Sequence, residues 1–245
     1  MALLHRAIDS YVRPMRETSS TRRDYLAVQE NASVTLAVGI YLFDEVEVLD
    51  FAGPFEVFST ASRVSAWLYP DAPKPFEVTT IAQEPRLVTA RAGLKVYPSR
   101  TFTNHPSIDV LIIPGGVVTA EMGRNPVIDW IIRCAARSTL TASVCTGAFL
   151  LAKAGLLDGK TVTTHWEDIA DLRAGFPRVT VLEGQRWVDA GPIVTSAGIS
   201  AGIEMSLYLV SRLADHELAV QTARQMEFDW TGPPHIVSTL ESSPP

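Results

Sequence analysis

Cysteine is scarce in this sequence, which has only Cys134 and Cys145 among its 245 residues. Two cysteines are too few for the disulfide framework of a small secreted protein or for a metal site with four cysteine ligands. A chain with so few thiols suits a reducing compartment. Each of the two cysteines is therefore either a packing residue or a reactive thiol.

Basic residues are not in excess either. The sequence has 21 lysines and arginines and 27 aspartates and glutamates, which gives a formal net charge of −6. Proteins that bind nucleic acid or anionic membranes by charge have the opposite balance. No apolar run approaches the length of a membrane span, and no hydrophobic segment with a cleavage site opens the sequence. We expect a cytoplasmic protein without a nucleic-acid or membrane partner.

The composition and patterning predict one main domain with two different ends. Residues 1–32 mix charges without sustained periodicity and are interpreted as an N-terminal extension, either an arm that clasps a second subunit or a short packed helix. Residues 231–245 are rich in proline and serine and predict an extended tail. The region between them, residues 33–230, is the main domain. With 245 residues, 47% of them hydrophobic, the chain is long enough to bury one large core or two small ones.

Within this region short apolar runs alternate with helical stripes. Buried strands are predicted at 34–43, 76–82, 109–113, 140–144 and 193–195, a hairpin at 85–98, and helices near 54, at 127–136, at 199–213 and at 215–226. The alternation predicts an α/β fold, a doubly wound, flavodoxin-like sandwich with a mostly parallel central sheet. In such folds ligands bind beyond the carboxyl ends of the strands.

Cys145 lies at the joint between a predicted strand and a predicted helix. Gly147 permits a tight turn there, and the amides of the first helical turn would point toward the sulfur and favour the thiolate. One interpretation is a nucleophile elbow. The other is a small buried residue at a crowded strand end. Asp50 and the pair Gly115-Gly116 are two further signals expected at the same edge of the sheet.

Four segments in this order resemble the ThiJ/PfpI superfamily, which is related to class I glutamine amidotransferases. They are VLDFAGPFEVF at 48–58, IIPGG at 112–116, SVCTGAFLLAKAGLLDGKTVTTHW at 143–166 and SAGISAGIEMSLYL at 196–209. The order and spacing cover about residues 34–230. The combination of LD-x-x-GP with S-V-C-T-G is most similar to the isonitrile hydratase branch, and the same motifs occur in the sensor halves of AraC-type regulators.

This sequence differs from three branches of the superfamily, and each difference makes the function of that branch less expected here. The peptidase-like branch has histidine after its nucleophilic cysteine, whereas this chain has Thr146. The deglycase branch uses a glutamate from an early loop, where this chain offers Asp50. AraC-type regulators continue into a helix-turn-helix domain, and because this sequence stops at residue 245 we expect no DNA-reading domain.

The resemblance implies that Cys145 is the nucleophile and Asp50 the proton carrier of an isonitrile hydratase-like enzyme, which would form a thioimidate and release an N-substituted formamide. The alternative interpretation of Asp50 is the N-cap of a helix beginning near Pro54. Glu56 is the competing carboxylate, expected to lie inside that helix. A metabolite-sensing domain without catalysis and a glyoxalase- or deglycase-like enzyme remain alternative functions.

The other expected site residues surround this pair. Thr146 is expected to donate its amide to the substrate and to hydrogen-bond Asp50 or substrate through its hydroxyl. Gly115 and Gly116 are expected to offer amides as an oxyanion cradle. His165 has a structural or hydrogen-bonding role, or a catalytic one, and both remain open.

The remaining predictions concern cofactors and assembly. Cys134 is interpreted as a packing residue. No metal site is expected, because the other histidines show no ligand spacing; they are His5, His105, His216 and His235. No cofactor is needed for the implied reaction. A small-molecule substrate is implied, as is a homodimer.

Overall fold

A seven-stranded sheet forms the centre of the computed structural model, which describes residues 34–232. The predicted N-terminal extension (1–32) and nearly all of the predicted tail (231–245) lie outside the described residues, so the predicted domain limits stay predictions. In chain order the strands of this sheet are β1 (Leu36–Tyr41), β2 (Phe76–Ala82), β5 (Arg100–Thr101), β6 (Val110–Ile113), β7 (Leu140–Val144), β10 (Trp187–Asp189) and β11 (Ile193–Ser196).

The sheet order is β10-β11-β7-β6-β1-β2-β5, and every neighbouring pair except β10 and β11 is parallel. The apolar runs explain the centre of this order, since every residue of β6 and β7 is buried. Strands covered on both faces read as continuous hydrophobic segments, as these do. The predicted α/β fold with a mostly parallel sheet is confirmed.

Helices cover both faces of the sheet. They are α1 (Val48–Leu68), α2 (Thr119–Met122), α3 (Asn125–Ala135), α4 (Gly147–Lys153), α5 (Ile169–Gly175), α6 (Ala201–Leu213) and α7 (His216–Gln225). Two small sheets and two short 3-10 helices, Arg91–Gly93 and Trp166–Asp168, complete the described elements. The hairpin predicted at 85–98 is present as the antiparallel pair β3 (Val88–Thr89) and β4 (Lys95–Val96), and β8 (Thr161–Val162) pairs in parallel with β9 (Thr180–Val181).

Helix α1 begins six residues earlier than the sequence predicted. Glu47 is its N-cap and accepts a hydrogen bond from the amide of Val48, so Asp50 lies in the first turn and does not cap the helix. Pro54 lies inside the helix, where the missing N–H usually ends helical structure. The helix continues because its buried face packs into the core, and Gly53 admits the close approach of Ile203 from α6.

The order of the strands creates a switch point between β1 and β6. From β1 the chain continues to β2 on one side, and from β6 it continues to β7 on the other side. Loops that leave the carboxyl ends of two such strands diverge and open a crevice, which is where ligands bind in doubly wound folds. The segments after β1, β6 and β7 hold Asp50, Gly115 and Cys145, so the fold brings the three predicted signals to one edge.

Candidate active site

Cys145 occupies a strained turn between β7 and α4. Its φ of 56° lies in the left-handed region, which residues with a β-carbon rarely adopt. Three contacts from distant loops hold this turn. The Cys145 amide donates to the carbonyls of Ser196 at 3.2 Å and Ala197 at 3.3 Å, and its carbonyl accepts from the Thr164 hydroxyl at 2.8 Å. The tight turn expected of a nucleophile elbow is therefore present.

Gly147 makes the close approach of this turn possible. A β-carbon at this position would lie 2.1 Å from the carbonyl oxygen of Ile113 and 2.9 Å from that of Pro114. Both distances are shorter than a van der Waals contact, so only glycine fits between the elbow and the end of β6.

Asp50 is buried, and both of its carboxylate oxygens have backbone donors. Oδ2 accepts from the amide of Gly115 and Oδ1 from the amide of Ile199, each at 3.1 Å. The two donors follow β6 and β11, so the carboxylate ties α1 to two separate loops. This arrangement fixes the direction of the side chain, which a reactive group requires.

Asp50 and Cys145 influence each other's protonation. Burial raises the pKa of Asp50 to about 7, although the amides of Gly115 and Ile199 and the Cys145 side chain lower it. Burial, followed by the charge of Asp50, raises the pKa of Cys145 to about 12, and hydrogen bonding by Thr146 lowers it only in part. The expectation that helix amides would favour the thiolate is wrong, because burial and the neighbouring carboxylate outweigh them. The resting pair holds its proton on sulfur above about pH 7.

Thr146 bonds to the glycine loop rather than to Asp50. Its hydroxyl accepts from the amide of Gly116 at 2.9 Å and donates to the carbonyl of Gly116 at 2.8 Å. The amide of Gly115 is bound to Asp50. Both glycine amides that were expected to form an oxyanion cradle therefore have acceptors within the protein, and in this arrangement they position Asp50 and Thr146 instead.

His165 contacts the loop that carries the second donor to Asp50. A β-carbon on Gly198 would come within 2.2 Å of the imidazole Cδ2, so the ring lies directly against that backbone. Its Nδ1 accepts from the amide of Glu167 at 3.4 Å and lies 3.5 Å from the carboxylate of Asp168. Within residues 34–232 no hydrogen bond joins the imidazole to Cys145 or Asp50.

Ile199 is a site residue that the sequence analysis missed. Its φ of 58° directs the amide toward Asp50. The preceding Ser196-Ala197-Gly198 is a recognisable strand end before a helix. Nothing in the sequence marks an isoleucine, a β-branched residue, for the left-handed region, since such residues avoid it.

Glu56 and Cys134 lie apart from this cluster. Glu56 faces outward on α1, where it pairs with Arg63 at 3.0 Å and accepts from Thr60 at 2.8 Å. Cys134 is buried on α3, and burial raises the pKa of its thiol to about 11. His105 accepts from the indole of Trp130 at 3.0 Å.

Neither a metal cluster nor a membrane-spanning helix occurs in the part of the chain that the structure describes. No group of three or more histidine, cysteine, aspartate or glutamate side chains is placed there to hold an ion. No helix in that part is both long and apolar enough to cross a bilayer. His5 and His235 lie outside it.

Comparison with known proteins identifies relatives of two kinds. The profile of the DJ-1/PfpI family matches residues 37–212. An isonitrile hydratase of Pseudomonas putida is 32% identical over 212 residues, which cover 86% of this chain and 86% of that protein. The HTH-type transcriptional regulator GbdR of Pseudomonas aeruginosa is 28% identical over 193 residues, 79% of this chain and 51% of the regulator. The chain therefore spans about half the length of that regulator, and the absence of a nucleic-acid partner stays a prediction.

A solved structure supports the same relationship. The crystal structure of a ThiJ/PfpI family protein from Pseudomonas syringae matches with a TM-score of 0.72 at 26% sequence identity. The match covers 93% of this chain and 86% of that chain.

Proposed function

The chain belongs to the DJ-1/PfpI family, and on that premise we propose that it is an isonitrile hydratase-like enzyme that uses Cys145 as nucleophile and Asp50 as proton carrier. The observation that carries the proposal is the buried carboxylate of Asp50, which is held by two amides beside the thiol and has a pKa of about 7. A group with a pKa near neutral is suited to accept and return a proton during catalysis.

The first half of the proposed reaction forms a covalent intermediate. The Cys145 proton passes to Asp50 while the sulfur forms a bond to the terminal carbon of the isonitrile. Asp50 then donates this proton to the same carbon, which gives a thioimidate, S–CH=N–R. Covalent catalysis divides a difficult hydration into two easier steps.

The second half releases the product. Water adds to the thioimidate carbon, with its oxygen bonding to carbon and one proton passing to nitrogen. The carbon–sulfur bond then breaks as the carbonyl forms, and the remaining water proton returns through Asp50 to the sulfur. The sum is one isonitrile plus one water giving one N-substituted formamide, without a cofactor.

An assay with cyclohexyl isonitrile tests this proposal. We expect formamide production by the wild-type protein and none above background by Cys145→Ala. Cys134→Ala is the matched control, because it removes the other buried thiol and leaves the elbow intact. Wild-type turnover no greater than that of Cys145→Ala, across several isonitriles, would contradict the hydratase proposal. Methylglyoxal assayed in parallel tests the glyoxalase- or deglycase-like alternative.

A metabolite-sensing domain is the second candidate function. It is favoured by the match to about half of a transcriptional regulator and by the raised pKa of Cys145, which keeps the resting thiol protonated. A sensor would bind isonitriles or related small molecules without converting them. Isothermal titration calorimetry with Cys145→Ala, combined with the turnover assay, separates binding from catalysis.

A further inference from the structure

Two large apolar side chains are exposed on the loops that hold the Cys145–Asp50 pair. Trp166 is 73% exposed and Ile199 is 41% exposed. Trp166 follows His165 and Thr164, and Thr164 bonds to the carbonyl of Cys145. Ile199 itself donates its amide to Asp50. Trp166 is thus two residues away from Thr164, which bonds to Cys145, and Ile199 bonds directly to Asp50.

The two loops are adjacent. The imidazole of His165 lies directly against the backbone of Gly198, where a β-carbon would come within 2.2 Å of it. The rings of His165 and Trp166 have centroids 5.7 Å apart. Trp166 and Ile199 each follow one member of this contact in the chain, so their backbones lie close together.

The shape of an isonitrile determines where its organic group must lie. The reacting carbon is terminal, so the organic group extends away from the sulfur that attacks this carbon. The interior side is closed, because Asp50 is fully buried and Cys145 is only 8% exposed. The organic group must therefore extend outward, away from the buried pair and past the loops that hold it.

The unpaired charges near these loops are negative, because the cation beside Ile199, Arg186, reaches Ser200 at 3.5 Å and is paired with Glu204 at 2.7 Å. Glu167 and Asp168 follow Trp166 directly, and their carboxylates lie 3.6 Å and 3.5 Å from the His165 ring. The carboxylate of Asp50 is beneath. A negatively charged organic group would be repelled here, whereas an apolar group would cover exposed indole and aliphatic surface.

We infer that Trp166 and Ile199 form an apolar rim that binds the organic group of the substrate, and that the substrates are bulky, uncharged isonitriles. The inference rests on the proposed hydratase function. It assigns Trp166 a role in specificity that is separate from the chemical step.

The test compares Trp166→Ala with Trp67→Ala on a large and a small substrate. Trp67 is 63% exposed near the end of α1, about 25 Å along the helix from Asp50 at 1.5 Å per residue, and is the matched control. We expect Trp166→Ala to lower kcat/KM for cyclohexyl isonitrile about tenfold and for methyl isonitrile less than about twofold, since contacts with one apolar group are worth roughly this much. Trp67→Ala should leave both values unchanged, and Trp166→Phe should restore most of the preference.

A second arm uses a pair of substrates that differ in charge. Methyl isocyanoacetate should be a better substrate than the isocyanoacetate anion, and Glu167→Gln should reduce the difference. The inference would be overturned if Trp166→Ala lowered kcat/KM equally for cyclohexyl and methyl isonitrile, or lowered it no more than Trp67→Ala does. Turnover by the wild-type protein would still support the hydratase function in that case. Absence of wild-type turnover on all four compounds would instead overturn the proposed function.

Discussion

The carboxylate of Asp50 accepts a 3.1 Å hydrogen bond from the amide of Ile199, which lies 149 residues further along the chain. Ile199 makes this bond only by adopting a φ of 58°. Such a conformation costs on the order of 1–3 kcal/mol for a residue with a β-carbon and persists where the surrounding structure compensates for it. The strain at Ile199 therefore indicates that the Asp50 carboxylate has to be held in one position.

Replacing Asp50 by asparagine should greatly reduce turnover. The variant keeps the size of the side chain but cannot carry the proton, and loss of a general acid or base typically lowers the rate about a hundred- to ten-thousand-fold. Glu56→Gln is the matched control and should change the rate little, because Glu56 pairs with Arg63 on the exposed side of α1. Steady-state kinetics of both variants measure the difference.

Stability has to be measured beside these rates. Asparagine offers one oxygen to the two amides that bind Asp50, so at pH 5, where the wild-type carboxyl holds its proton, we expect a loss of about 1–3 kcal/mol in the free energy of unfolding. Near wild-type turnover by folded Asp50→Asn, together with an inactive His165→Asn, would move the catalytic assignment to Cys145 and His165.

Activity and stability should change in opposite directions with pH. Burial raises the pKa of Asp50 from its ordinary 3.8 to about 7, so the folded protein holds a proton that the unfolded chain releases. The resulting stabilisation is complete below about pH 4 and is lost as pH rises through about 7. Because the carboxylate form accepts the thiol proton, kcat/KM should rise over the interval around pH 7.

Urea denaturation of wild type and Asp50→Asn at pH 5 and pH 8 measures the stability part of this prediction. The wild type should lose more of its free energy of unfolding than the variant between the two pH values. A kcat/KM that is flat from pH 5 to pH 8 would argue against proton transfer by Asp50.

The sequence predicted the parts of the site that depend on local pattern. The apolar run at 140–144 followed by Cys145 and Gly147 indicated the tight turn, since a buried strand must end where glycine permits close approach. The start of α1 was predicted wrongly because Pro54 usually begins or breaks a helix, and only the packing of the surrounding face keeps it inside one.

The contacts between loops could not be predicted in this way. The bond of Thr146 to Gly116 and that of Asp50 to Ile199 join segments that only the strand order brings together. The pKa of Cys145 was predicted in the wrong direction for the same reason. Local sequence shows the amides of the following helix, whereas the burial and the nearby carboxylate arise from tertiary structure.

Gly147→Ala should destabilise the elbow. The added methyl group would lie 2.1 Å from the Ile113 carbonyl oxygen, and forcing extra volume into a packed site typically costs about 1–3 kcal/mol. Gly175→Ala is the control, because a β-carbon there meets nothing within 4 Å. Thermal unfolding should show a lower midpoint for the first variant only, and equal midpoints would mean that the elbow tolerates the displacement.

Tyr41→Phe should lower stability without removing activity. The Tyr41 hydroxyl donates to Glu121, a buried carboxylate that also accepts from Arg124 at 2.8 Å. Loss of one donor to a buried acceptor costs about 1–3 kcal/mol. Tyr97→Phe should cost less than about 0.5 kcal/mol, since the Tyr97 side chain is exposed and its hydroxyl bonds to the carbonyl of Pro85 on the surface. Similar urea midpoints for both variants would contradict the interpretation that the buried Glu121 carboxylate needs the hydrogen bond from Tyr41.

The homodimer implied by the family resemblance is tested by light scattering. The chain has a mass of 26.7 kDa, and we expect twice this value at micromolar concentration. A measured mass near that of one chain would exclude a stable dimer.

The distance along the chain between Asp50 and its second donor also has a consequence for biosynthesis. At translation rates of about 5–20 residues per second, the ribosome adds Ile199 on the order of ten seconds after Asp50. During that interval the nascent chain can pair β1 with β2, but closing the crevice would bury a carboxylate that lacks one of its two donors. We therefore expect the edge of the sheet that holds Asp50 and Cys145 to remain hydrated until α6 emerges from the exit tunnel.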